Sequence, residues 1–163
     1  MTKYETIDTL PLDINTLSLY NQPTQQPDLV HLDDPAKSVM TDYTHSKPST
    51  INENDNINNA LLEMKVKNVH TLLVENNHGR IVGLIASEDI LGEVPIQIIQ
   101  DRRIKRSDIE VKLVMITLQK IIAFNIDSVS VSRVGNIVDT LKKHSQHYAL
   151  VIDTQTDKSK QIL

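Results

Sequence analysis

Residues 79–90 read GRIVGLIASEDI, and the fold of the whole chain is decided by how this stretch is understood. Gly79 opens an alternating apolar run, Gly83 interrupts it, and the small residues Ala86 and Ser87 lead into Glu88 and Asp89. The run predicts a buried strand, and Ser87-Glu88-Asp89 predicts the polar start of a helix. A carboxylate in a first helical turn is favoured by the helix dipole, with Ser87 as N-cap, each worth about 1 kcal/mol or less. The same placement also suits a grip on a ligand, and the stretch alone leaves both readings open.

Working outward, VHTLLVE reads as a second buried strand, joined to the first by the hairpin turn NNHG. Upstream, STI reads as a short strand and NEND as a helix cap. Ile57, Ala60, Leu61 and Met64 then recur at helical spacing. The order is strand, helix, strand, strand, helix.

The second half repeats this order. VKLVMI echoes AKSVMT, SVSV near residues 128–131 echoes STIN as a strand, and Ile57, Leu61, Met64 return as Val134, Val138, Leu141. HTLLVE returns as YALVID and GRIV as KQIL. Few residues are identical, but order, polarity and spacing agree, which is the signature of a tandem duplication. The second copy ends before a counterpart of Gly83, Asp89 or the last helix, and a truncated or partly disordered C-terminus is the expectation. The chain divides into an arm (1–35), a first repeat with its connecting helix (36–106) and a second, C-terminally incomplete repeat (107–163). The arm is rich in Pro, Asn, Gln, Thr and Asp, and its apolar spots LSLY and LVHL suit either a latch or a loose linker.

Composition narrows the function. With 39% apolar residues, one Phe, four Tyr and no Trp, the core must be built from aliphatic side chains. A net charge of −4 and too few rings for base stacking argue against a nucleic-acid binder. No Cys is present, so there is no disulfide, thiolate zinc site or thiol nucleophile. The four glycines, at 79, 83, 92 and 135, cannot form a phosphate loop or a dinucleotide fingerprint. No G-x-S-x-G elbow occurs either, and an enzyme is not expected. No apolar stretch reaches membrane-spanning length and no apolar leader opens the chain, so a cytoplasmic protein is expected.

Other polar groups have ordinary readings. His144 and His147 lie one helical turn apart in a solvated helix end without a third ligand, so no metal is expected. DRRIKRS (101–107) reads as the polar end of a linker helix that buries Ile96 and Ile99; the sharper alternative sends Arg102, Arg103 or Arg106 to a polyphosphate.

SVMT (38–41), GRIVGLIASEDI and the repeat together resemble the tandem cystathionine-β-synthase (CBS) domains, whose pairs are called Bateman modules. GEVPIQ resembles a bacterial subgroup of small stand-alone CBS-pair proteins. The resemblance covers roughly residues 36–163. It implies an α/β (α+β) fold of two β-α-β-β-α repeats, with two small sheets packed about a pseudo-twofold axis, and a homodimer. It further implies a regulatory module that binds an adenosyl ligand (AMP, ADP, ATP or S-adenosylmethionine) in the cleft between repeats and signals to an effector protein. Carried over, Asp89 holds the ribose hydroxyls, while Thr50, Ile51, Val39, Met40 and His70 belong to stretches lining the adenine pocket. The family's phosphate-binding hydroxyl falls on Ala86, which has none. Ser87 stands one residue later, where a side chain is turned by about 180° on a strand or about 100° on a helix. The runner-up is therefore a ligand-free dimerisation or interaction module.

Overall fold

The computed structural model describes residues 4–13, 17–20, 29–43, 47–155 and 160–162. Among them the strands and α-helices run β1 (Leu17–Tyr20), β2 (Thr50–Asn52), α1 (Ile57–Lys67), β3 (Thr71–Glu75), β4 (Ile81–Ala86), α2 (Ser87–Leu91), α3 (Glu93–Arg102), β5 (Ile116–Thr117), β6 (Ile122–Asn125), α4 (Ile126–Val131), α5 (Val134–Lys143), β7 (Ala149–Asp153) and β8 (Lys160–Ile162). The fold is mixed α/β, with two four-stranded sheets ordered β2-β3-β4-β5 and β1-β8-β7-β6. Each sheet lies in its own compact unit: Ser49–Lys120 forms a continuous one, and Met1–Pro48 with Ile121–Leu163 a discontinuous one. Repeats in the sequence and units in space therefore have different boundaries.

In the continuous unit β2 pairs parallel with β3, β3 antiparallel with β4, and β4 antiparallel with β5. The β3–β4 turn is built on Asn76, whose side chain accepts the amides of His78 and Arg80, and closes at Gly79, where φ is +71°. That left-handed backbone suits glycine. Helix α1 starts where Asn56 accepts the Asn58 amide, and it buries Ile57, Ala60 and Met64 against Leu72 and Val74 of β3 and Ile85 of β4.

The discontinuous unit repeats the motif. β6 pairs parallel with β7 and β7 antiparallel with β8, while β1 adds a strand beside β8. Phe124 is the largest side chain fully buried here. The stretch SVSV belongs to α4 and is not the strand expected from its alternation. Asn125 caps that helix by accepting the Asp127 amide, Val129 turns inward, and Ser130 and Ser132 return hydrogen bonds to carbonyls one turn back. The counterpart of β2 is the apolar run at Ile122–Asn125. Alternation over four residues fits a short capped helix as well as a strand, and the cap decided.

Both units share a second feature. The turn of 3-10 helix at Ala36–Val39 opens the first repeat, yet the Ala36 amide donates to the Ser132 carbonyl and Pro35 bridges Arg133. The turn at Val111–Leu113 opens the second repeat, and the Val111 amide donates to the Asp55 carbonyl while Glu110 bridges Asn56. Each repeat's leading segment is thus folded onto the start of a helix in the other repeat, Ala36–Val39 onto α5 and Val111–Leu113 onto α1.

Residues 4–13 of the arm lie on the discontinuous unit, where Leu12 is buried. The polar stretch between LSLY and LVHL, residues 21–28, falls outside the described residues.

Candidate functional site

The corner where β4 becomes α2 holds most of the candidates. Antiparallel pairing sets Ala86 opposite Thr71, at the end of a strand whose Ile85 is fully buried. Ala86, also fully buried, keeps an extended backbone and is the N-cap of α2, so Ser87 is the first helical residue and not the cap expected of it. The cap position carries no side-chain acceptor, and the Ser87 amide donates to the carbonyl of His70 at 2.9 Å. Free amides at a helix N-terminus favour a phosphate, and this one is already engaged.

Glu88 is exposed, Ile90 anchors the helix in the core, and Asp89 between them is half-buried with Oδ2 shielded from solvent. Arg106 reaches back to this short helix: Nη2 donates to the Ile90 carbonyl at 2.8 Å and Nε to Asn58 Oδ1 at 3.3 Å. Its guanidinium therefore ties α2 to α1, where the polyphosphate reading needed it for a ligand. Arg102 and Arg103 are exposed at the end of α3. In α3 it is Pro95 that is buried, with Ile98 and Ile99 packed on the core, whereas Ile96 faces out.

Thr50 is half-buried on β2, the edge strand of its sheet, in register with Leu73. Ile51 beside it is buried in the hydrophobic core, so its side chain serves packing. His70 has an exposed side chain and contributes its carbonyl to Ser87. Asp89, Ser87, Ala86, Thr50, Ile51 and His70 all belong to the continuous unit, while Val39 and Met40 fold with the other, where Met40 packs against the cluster around Phe124. The pattern gave no sign that Arg106 closes α2, because a cationic run between repeats reads equally well as solvated surface. Among the described residues, no three His, Asp or Glu side chains gather as a metal set, and no helix is long and apolar enough to cross a membrane.

Residues 36–96 match the CBS domain family. The chain carries a CBS domain. The match begins at Ala36, in the discontinuous unit, and runs through the Asp89 corner into α3, so the CBS pattern follows chain order across the exchanged segments. The fold is likewise that of solved CBS-domain proteins. An uncharacterized conserved protein from Pyrococcus horikoshii aligns over 81% of this chain and 88% of its own, with 20% identity and a TM-score of 0.54. A protein with CBS domains from Burkholderia ambifaria aligns over 70% and 75% with 18% identity and a TM-score of 0.51. A CBS-domain containing protein from Agrobacterium tumefaciens aligns over 71% and 78% with 9% identity and a TM-score of 0.51. A search of curated protein sequences returns no match. CBS domains are regulatory modules, and the candidate site lies inside the matched stretch.

Proposed function

We propose that the chain is a non-catalytic, cytoplasmic regulatory module that binds an adenosyl nucleotide at the β4–α2 corner of its CBS domain. The observation that carries this reading is Asp89: a carboxylate held on the first turn of α2, immediately after a buried strand, with one oxygen shielded from water. Two vicinal ribose hydroxyls can both donate to such a group, and charge-assisted hydrogen bonds gain strength where water is excluded. Thr50, on the edge strand, supplies a polar group towards the base. The phosphate end is held less well, since Ala86 has no hydroxyl and the Ser87 amide is engaged with His70. Discrimination among AMP, ADP, ATP and S-adenosylmethionine then rests on the nucleoside more than on the tail.

Signalling follows from differential binding. A ligand that prefers one conformation shifts the population towards it by that preference and no more, about 1.4 kcal/mol per tenfold difference in affinity. An effector protein reads the shift. Self-association belongs to the same proposal: α1 exposes Leu62 and Val66, and the α2–α3 junction exposes Leu91 and Val94, an apolar surface that suits a homodimer.

Thermal unfolding with each of the four adenosyl compounds, on the wild type and on Asp89→Ala, tests the reading. A compound at a hundred times its dissociation constant should add about 2.7 kcal/mol, a rise of several degrees, in the wild type alone. If no compound moves the midpoint, the nucleotide reading falls. Buried, hydroxyl-free Ala86 favours what then remains, a ligand-free dimerisation or interaction module.

A further inference from the structure

Helix α2 is five residues long, too short to hold itself in place, so the direction of Asp89 is set by what grips the helix. Its first residue is held by the bond from the Ser87 amide to the His70 carbonyl at 2.9 Å. Its core-facing side is held by Ile90, whose side chain is fully buried. The last carbonyls of a helix have no partner within it. Here the Ile90 carbonyl accepts from Arg106 Nη2 at 2.8 Å.

Arg106 reaches that carbonyl from a segment that is itself fastened to the start of α1. Its Nε donates to Asn58 Oδ1 at 3.3 Å, on the first turn of α1. The Ser107 carbonyl accepts from Asn56 Nδ2, and the Ile109 carbonyl accepts the Ile57 amide at 3.1 Å. Lys105 and Asp108 close a turn around the arginine: the Asp108 amide donates to the Lys105 carbonyl at 2.9 Å, and the Lys105 amide to Asp108 Oδ2 at 3.3 Å. Ile109 is fully buried beneath it. The guanidinium fork thus starts from a fixed backbone and spans two acceptors on two helices. Because Ile90 follows Asp89 directly on a single short helix, any shift of the Ile90 carbonyl carries the Asp89 carboxylate with it.

We infer that Arg106 is a positioning residue for the nucleotide site. It acts through the Ile90 carbonyl and holds the Asp89 carboxylate where both ribose hydroxyls can reach it. The inference rests on the nucleotide reading above and adds to it the residue that makes the site selective for a ribose. A carboxylate that must serve two hydroxyls at once tolerates less displacement than one that meets a single donor, so loss of its support shows first as lost ribose selectivity.

AMP and 2′-deoxy-AMP are the probes, titrated calorimetrically into the full chain and its variants. The wild type should favour AMP by about tenfold or more, the worth of one charge-assisted hydrogen bond, and Asp89→Ala should bind the two alike. Arg106→Ala should lose most of the preference, and Arg106→Lys should keep part of it. Asn125→Ala, destabilised by a lost cap in the other unit, should keep all of it, which separates positioning from stability. A full preference in folded Arg106→Ala would overturn the inference, as would loss of the preference in Asn125→Ala. If Arg106→Ala does not fold, Arg106→Lys decides, and an unchanged preference there overturns the inference. A wild type that binds neither nucleotide, or both alike, overturns the nucleotide reading itself and the inference with it.

Discussion

At Gly83 a side chain has nowhere to go, because a Cβ would collide with the backbone carbonyl of Ile116, where β5 crosses β4. A backbone atom in a sheet cannot swing aside as a side chain can, so Gly83→Ala should destabilise the chain by about 1–3 kcal/mol, read as a lower urea midpoint. Gly135 presents the opposite case, since its neighbour is the ring of Tyr4. Alanine is worth up to about 1 kcal/mol over glycine in a helix interior, and less at Gly135, which stands on the first turn of α5. Gly135→Ala should therefore destabilise the wild type and become neutral or slightly stabilising once Tyr4→Ala has removed the ring, a change of sign that a double-mutant cycle measures. Both glycines are visible in the sequence as interruptions of an apolar or helical pattern. Which backbone or ring approaches each one is not, because a missing side chain carries no record of its neighbour. Asp89 and the helix start after β4 were equally legible from Ser87-Glu88-Asp89. That Ala86 and not Ser87 is the cap was hidden, because it depends on the His70 carbonyl taking the Ser87 amide.

Elements with a full hydrophobic period were read from the pattern, and those whose identity rests on a cap or a distant partner were not. Helices α1 and α5 and strands β3, β4 and β7 carry apolar residues at unambiguous spacing. Helix α4 does not, and the Asn125 cap settles it. Asn125→Ala should cost about 1 kcal/mol by freeing the Asp127 amide, and circular dichroism during urea unfolding would show the loss. Helix α2 is five residues long and could not persist in isolation. It is held by burial of Ile90 and by the bond from Arg106 to the Ile90 carbonyl. Hydrogen bonds from a charged donor are worth about 1.5–3 kcal/mol, so Arg106→Ala should lower the unfolding midpoint measurably. Arg106→Lys should recover only part of it, since a point charge cannot serve Ile90 and Asn58 together.

For the molecule as a whole, the exposed apolar residues of α1 set a prediction about assembly. Leu62→Lys with Val66→Lys should leave the unfolding midpoint almost unchanged, because both side chains are already exposed, at 59% and 74%. Light scattering should show a wild-type dimer falling to a monomer; an unchanged mass would remove α1 from the interface. The sequence by itself determined the duplication, the mixed α/β class and the strand–helix corner with Asp89, because each is written in the local period of apolar residues and in the polar residues that begin a helix. Only the tertiary structure decided that the leading segments at Ala36–Val39 and Val111–Leu113 are exchanged between repeats, that Arg106 closes α2, and that Leu10 covers β6. The physical reason is that each of these rests on a backbone amide or carbonyl meeting a partner distant in the chain. Every residue carries such groups, so no side-chain pattern marks which of them will meet.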